Sequence, residues 1–207
     1  RVEPGFHLVR LSEEMRGSSI MSIAYYRDGS RFVVAAGNGM VVTWNANGGE
    51  IQSWRAHDTA AVVVEISPDG RWLATGCSET GGTTLRVWRV AKDWGASPVE
   101  AFSSDWMIGG VFSLSFSPDS RFLATGGWGF SGYSAPMIYD LKSGERVSIL
   151  QWDASRAIRY APNGKLLATG DEFGKVSLWN VKHRTRVFEK DKAHSRIVSV
   201  VDFSPDG

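Results

Sequence analysis

The sequence predicts an all-β protein assembled from a repeated four-stranded antiparallel unit. Three observations carry this. A turn of the form Ser-Pro-Asp-Gly recurs five times, as Tyr26-Arg27-Asp28-Gly29, Ser67-Pro68-Asp69-Gly70, Ser117-Pro118-Asp119-Ser120, Ala161-Pro162-Asn163-Gly164 and Ser204-Pro205-Asp206-Gly207. Its Asp or Asn positions (28, 69, 119, 163 and 206) are 41, 50, 44 and 43 residues apart, and a period in the forties marks one supersecondary unit stacked on copies of itself. Apolar residues spaced by two precede each turn, and no helical period competes with them.

The elements follow from the turn outwards. Immediately before it stands an apolar column of Tyr25, Ile66, Phe116, Tyr160 and Phe203, and two residues earlier a second of Ile23, Val64, Leu114, Ile158 and Val201. A spacing of two is one face of a strand. The turn chemistry is a fixed φ at Pro and a positive φ at Gly. A second strand follows, as in Trp72-Leu73-Ala74-Thr75 and Phe122-Leu123-Ala124-Thr125, and the glycines at 37, 76, 126 and 170 read as hairpin exits. A third strand ends in Trp44-Asn45, Trp88-Arg89, Tyr139-Asp140 or Trp179-Asn180. The fourth is more polar: Glu50–Arg55, Pro98–Ser103, Glu145–Leu150 and Arg184–Glu189. One such sheet cannot cover both its faces, so the units must stack, and radial stacking gives a β-propeller.

Bulk composition excludes several classes. The 207 residues are 43% hydrophobic and 22% charged, as in an ordinary globular protein. A net charge of +1 gives no general reason to expect nucleic acid or an anionic membrane. No apolar run approaches the ~20 residues of a membrane-spanning helix. The single cysteine, Cys77, precludes an internal disulfide and a multi-cysteine zinc site, and leans towards a reducing compartment such as the cytoplasm.

The Ser-Pro-Asp-Gly turn, the Leu-Ala-Thr-Gly strand end, the Trp-Asp-like endings and Ala56-His57 and Ala193-His194, which stand where a Gly-His element would, together resemble the WD40-repeat family over nearly the whole chain. The resemblance implies a WD40-like β-propeller. It divides the chain into an outer strand of a neighbouring blade (1–17, with the strand at Phe6–Leu11), four blades (18–55, 56–104, 105–151 and 152–191) and the first strand of another (192–207, with the strand at Ile197–Phe203). Rings of this family typically hold seven blades. The expectation is therefore that the natural protein continues beyond Gly207, or that another chain completes the ring. The resemblance also assigns structural places to His57, Thr75, Trp88, Trp44, Tyr139 and Trp179. In the family a His, a Ser or Thr, an Asp and the Trp form a buried network. Here the second repeat has Ser78-Glu79-Thr80 with no obvious Asp, and the other complete repeats lack the His, so that network is not expected to be general.

Function is sought where the repeat deviates from itself. The loops at 77–83, 91–97, 103–110 and 126–135 are the irregular ones. In the family's topology they bring Trp106, Met107, Trp128, Phe130 and Tyr133 to one rim, near Glu79. Exposed aromatics on loops are what a partner-binding hot spot needs, and the alternative is that they tuck beneath the loops. A second candidate is the basic stretch of Lys182, Arg184, Arg186, Lys192 and Arg196, suited to an acidic or phosphate-bearing partner or else a charged edge that resists strand pairing. No catalytic residue, cofactor or metal site is assigned: the histidines have no partners in sequence, the repeated aspartates belong to turns, and no phosphate loop or metal-ligand spacing occurs. These features predict a non-catalytic scaffold that binds other proteins or peptides. The alternatives are a regulatory or sensor propeller of a larger enzyme such as an ATPase or kinase, and a glycan-binding propeller.

Overall fold

A computed structural model describes residues 15–78, 82–91, 96–105, 109–128, 136–149 and 155–207. Their regular structure is four separate four-stranded antiparallel sheets, each hydrogen-bonded in sequence order. The first holds β1 (Ile20–Tyr25), β2 (Arg31–Ala36), β3 (Met40–Asn45) and β4 (Glu50–Arg55). The second holds β5 (Ala61–Ile66), β6 (Trp72–Cys77), β7 (Leu85–Arg89) and β8 (Val99–Ser104). The third holds β9 (Val111–Phe116), β10 (Phe122–Gly127), β11 (Met137–Asp140) and β12 (Arg146–Ile149). The fourth holds β13 (Ala157–Tyr160), β14 (Leu166–Gly170), β15 (Val176–Asn180) and β16 (Thr185–Lys190). The expected strand at Phe6–Leu11 lies outside the described residues.

The turns form as their composition dictates. In the second and third sheets, Ser67 and Ser117 donate from Oγ to the Asp69 and Asp119 carboxylates, each at 2.6 Å. The same serine oxygens accept from the N–H of Trp72 and Phe122, which locks the hairpin register.

Three cores lie between sheets, and a fourth packs Met15 against Val34, Ala36, Val42 and Trp44 of the first sheet. One cluster joins Val33, Ala35 and Val41 of the first sheet to Val64, Leu73 and Trp88 of the second. A second joins Ala74, Leu85 and Val87 to Leu114, Leu123 and Tyr139. A third joins Ala124 and Ile138 to Ile158, Tyr160 and Trp179. The first strand of each sheet packs against the first and second strands of the sheet before it. The sheets therefore stand radially, with β1, β5, β9 and β13 innermost.

An innermost strand is a sheet edge with unpaired backbone, and serines cover it. Ser22 Oγ accepts from Val64 N–H at 3.2 Å, Ser113 Oγ from Ile158 N–H at 3.1 Å and Ser115 Oγ from Tyr160 N–H at 2.9 Å. Neighbouring blades are thus linked edge to edge without a continuous ladder.

Gly76 and Gly126 are not hairpin exits, since β6 and β10 run on past them, whereas Gly170 ends β14 as expected. All three stand at points where the next blade comes too close for a side chain. A Cβ on Gly76 would fall 2.6 Å from the Val111 carbonyl oxygen, and one on Gly126 2.8 Å from that of Ser155. At Gly170 it would meet Val198. Residues 197–203 make no ladder among the described residues, because no second strand lies beside them to pair with. Val198 is nonetheless buried, its N–H bonded to the Asp171 carbonyl at 2.8 Å.

Candidate functional site

The turns between second and third strands meet the links entering the next blade on one face. Ala56 and His57 N–H both donate to the Gly39 carbonyl, and His194 N–H to that of Gly174. Gly39 and Gly174 have φ of +83° and +90°, and a Cβ at either would strike the carbonyl of His57 or His194. On this face Trp128 N–H donates to the Gly110 carbonyl at 3.1 Å, so the loop after β10 starts against the link that enters its own blade. Trp128 is 40% exposed. Trp106, Met107, Phe130 and Tyr133, the other residues expected at this rim, lie outside the described residues, as does Glu79.

The cations of the basic stretch differ in their surroundings. Arg186 is withdrawn from it, its guanidinium 5.5 Å from the centre of the Trp179 ring and paired with Glu189. Lys175 meets Glu189 at 3.7 Å and Asp191 at 3.6 Å, so both acids are already engaged. Lys182, Arg184, Lys192 and Arg196 are exposed and have no ion-pair partner among the described residues. Lys182 and Arg184 line a groove between the third and fourth sheets, which separates them from the others in surroundings.

Where blades carry the right residues, indole N–H groups are satisfied by threonines. Trp88 Nε1 donates to Thr75 Oγ1 at 3.1 Å, and Trp179 Nε1 to Thr169 Oγ1 at 2.9 Å. His57 Nε2 lies 2.9 Å from the same Thr75 oxygen. A shortened network of His, Thr and Trp therefore exists in the second blade without the missing Asp. His57 is buried, and that burial, then Arg86, lowers its pKa from 6.5 to about 4, so the ring is neutral at physiological pH. In the third blade Tyr139 replaces Trp and its hydroxyl bonds Ser104 Oγ at 3.0 Å. In the first, Trp44 Nε1 is buried without a partner.

An axial charge cluster is the feature the sequence reading missed. Arg159, on the innermost β13, contacts Glu65 of β5 at 3.2 Å and Asp202 at 3.1 Å. The three stand two residues before their turns, in a column otherwise filled by Ala24 and Ser115. Charged residues recurring at that place in apolar strands were the available signal. They line a cleft of about 380 Å³ with Arg27 and the turn prolines. Desolvation, strengthened by Asp202 and opposed by Arg159, raises the Glu65 pKa from 4.5 to about 7. No group of three or more metal-ligating side chains occurs among the described residues, and no helix there is long and apolar enough to cross a membrane.

Four radial sheets with loops gathered on one face define a β-propeller. The family model for the WD domain, G-beta repeat, matches residues 48–89 and 103–131. A WD repeat-containing protein WDS homolog from Arabidopsis thaliana is 26% identical over 199 residues, covering 91% of this chain and 35% of its own length. The U3 small nucleolar RNA-associated protein 18 of Saccharomyces cerevisiae is 30% identical over 160 residues, 70% of this chain and 26% of its own. Eukaryotic translation initiation factor 3 subunit I of Aspergillus oryzae is 29% identical over 202 residues, 91% of this chain and 57% of its own. The chain belongs to the WD40-repeat family, and it spans less than two thirds of each of these curated relatives.

Proposed function

We propose that the protein is a non-catalytic scaffold that binds other proteins through the loop face of its propeller. The observation that carries this reading is the rim at Trp128: a partly exposed indole on a loop rooted in rigid sheets, as a binding hot spot requires. Trp106, Met107, Phe130 and Tyr133 complete the proposed contact surface. Two relatives are named as an RNA-associated protein and an initiation-factor subunit, which suits membership of larger assemblies. The apolar ends of the arc, with Ile23 and Tyr25 at one and Phe188 and Val200 at the other, are surfaces that further blades or another chain would cover.

Affinity capture with mass spectrometry on the full-length protein tests this, comparing wild type with Trp106→Ala/Trp128→Ala. A protein lost selectively from the variant supports the reading. An unchanged set of captured proteins refutes the rim as the docking surface.

A further inference from the structure

A groove of about 320 Å³ opens between the third and fourth sheets, on the opposite face from Trp128. Phe122, Ile138 and Val147 form one wall and Val181 the other. Tyr160 lines the groove and belongs to the apolar cluster that these side chains join. Its residue exposure is only 5%, yet its hydroxyl has no hydrogen-bond partner. Burial, reinforced by the Asp119 carboxylate, pushes the ionisation of this phenol well above its usual range. Tyr160 therefore stays a neutral phenol at physiological pH, with its oxygen closed to solvent.

The charge around the groove is one-sided. Lys182 and Arg184, from the turn between β15 and β16, have no ion-pair partner among the described residues. Arg121 lies over the Phe122 ring at 4.8 Å and meets Asp140 at 3.5 Å. Asp140 is the one acid among the described residues that line the groove, and it is already engaged, accepting also from the N–H of Lys142 at 2.9 Å and of Ser143 at 3.2 Å. Hydrogen bonds from these N–H groups and from Arg121 hold its pKa below the usual carboxylate value against the opposing desolvation. The groove thus combines apolar walls with a cationic rim.

We propose that this groove receives a short acidic segment of a partner protein. An apolar side chain sits between Phe122 and Val181, and a neighbouring carboxylate faces Lys182 and Arg184. The inference rests on the reading of the chain as an interaction scaffold, and adds a second surface with a stated partner chemistry. A nucleic acid fits less well, because the rim offers no open aromatic face for a base: Arg121 already covers Phe122.

The test is fluorescence anisotropy on the full-length protein, with labelled short peptides in which a central Leu or Phe is flanked by Asp and Glu. The comparison pool replaces every acid by its amide. The acidic pool is expected to bind roughly tenfold more tightly, with an affinity that falls as salt rises. Lys182→Glu with Arg184→Asn should remove about that tenfold gain, Asn being at ease with the positive φ of 55° at position 184. Equal binding of the two pools, or unchanged binding by the groove variants, overturns the proposal. A single-stranded oligonucleotide that binds as tightly as the acidic pool and competes with it also overturns it. If the groove variants are silent while Trp106→Ala/Trp128→Ala loses its captured protein, the groove fails and the scaffold reading stands.

Discussion

Trp44 and Trp88 occupy the same place in neighbouring sheets, but only the second indole has a partner. Trp44 pairs across the ladder with Phe32, as Trp88 pairs with Leu73, so Val34 stands where Thr75 accepts the hydrogen bond. Val34→Thr supplies the missing acceptor at nearly constant shape and should stabilise the protein by about 1 kcal/mol in chemical denaturation. Thr169→Val should cost a similar amount by orphaning Trp179. Two other residues make stability depend on pH with opposite signs. The Glu65 pKa is raised to about 7, so its contribution is fully present below its ordinary value of 4.5 and is lost as pH rises through 7. The His57 pKa is lowered to about 4, so its contribution is present above 6.5 and is lost as pH falls through 4. Wild-type stability alone would blur the two. The advantage of Glu65→Gln over wild type should instead grow by about 1–2 kcal/mol between pH 5 and 8, a range reduced because Glu65 keeps 26% of its side chain exposed. A pH-independent difference would show that burial does not govern Glu65. The residue types in these sites were legible in the sequence, but their partners were not. Arg159 reaches a carboxylate 94 positions away, and no repeat alignment reports which side chains converge across an axis.

At the scale of the element, local chemistry specified most of the architecture. The turn serines, Asp69 and Asp119, and the alternation in β5 and β9 each act within a few residues, so four hairpin-built sheets could be read directly. The glycines at 76 and 126 misled because their cause is not local: a strand-end glycine and a close-approach glycine look alike until the neighbouring blade is in place. Gly126→Ala is accordingly expected to cost about 1–3 kcal/mol, since its Cβ meets backbone that cannot yield easily. Gly29→Asn is the control. A Cβ there meets nothing within 4 Å, and Asn tolerates the positive φ of 68°, so denaturation should show a change of no more than a few tenths. Equal losses in both variants would contradict the distinction between docking and turn glycines.

For the whole molecule, stacking converts four sheets that could not stand alone into one body with three shared cores. It also explains why equivalent residues differ in exposure. Ile23 and Tyr25 are 50% and 67% exposed, whereas Val64 and Ile66 in the same columns are buried against the first sheet. No sheet precedes the first among the described residues. The architecture was legible because it repeats. The proposed binding surfaces were less so, because they lie in the departures from the repeat, and the cations at 182–196 differ in ways that sequence does not report: Arg186 is ion-paired, while Lys182 and Arg184 line a groove. The most direct test of the scaffold claim is a calorimetric titration of the captured partner against full-length wild type and Trp106→Ala/Trp128→Ala, with melting temperatures measured alongside. The account predicts at least a roughly tenfold loss of affinity with no change in melting temperature. Unchanged affinity, or a loss accompanied by a collapse in stability, would show that these aromatics pack the fold and do not bind the partner.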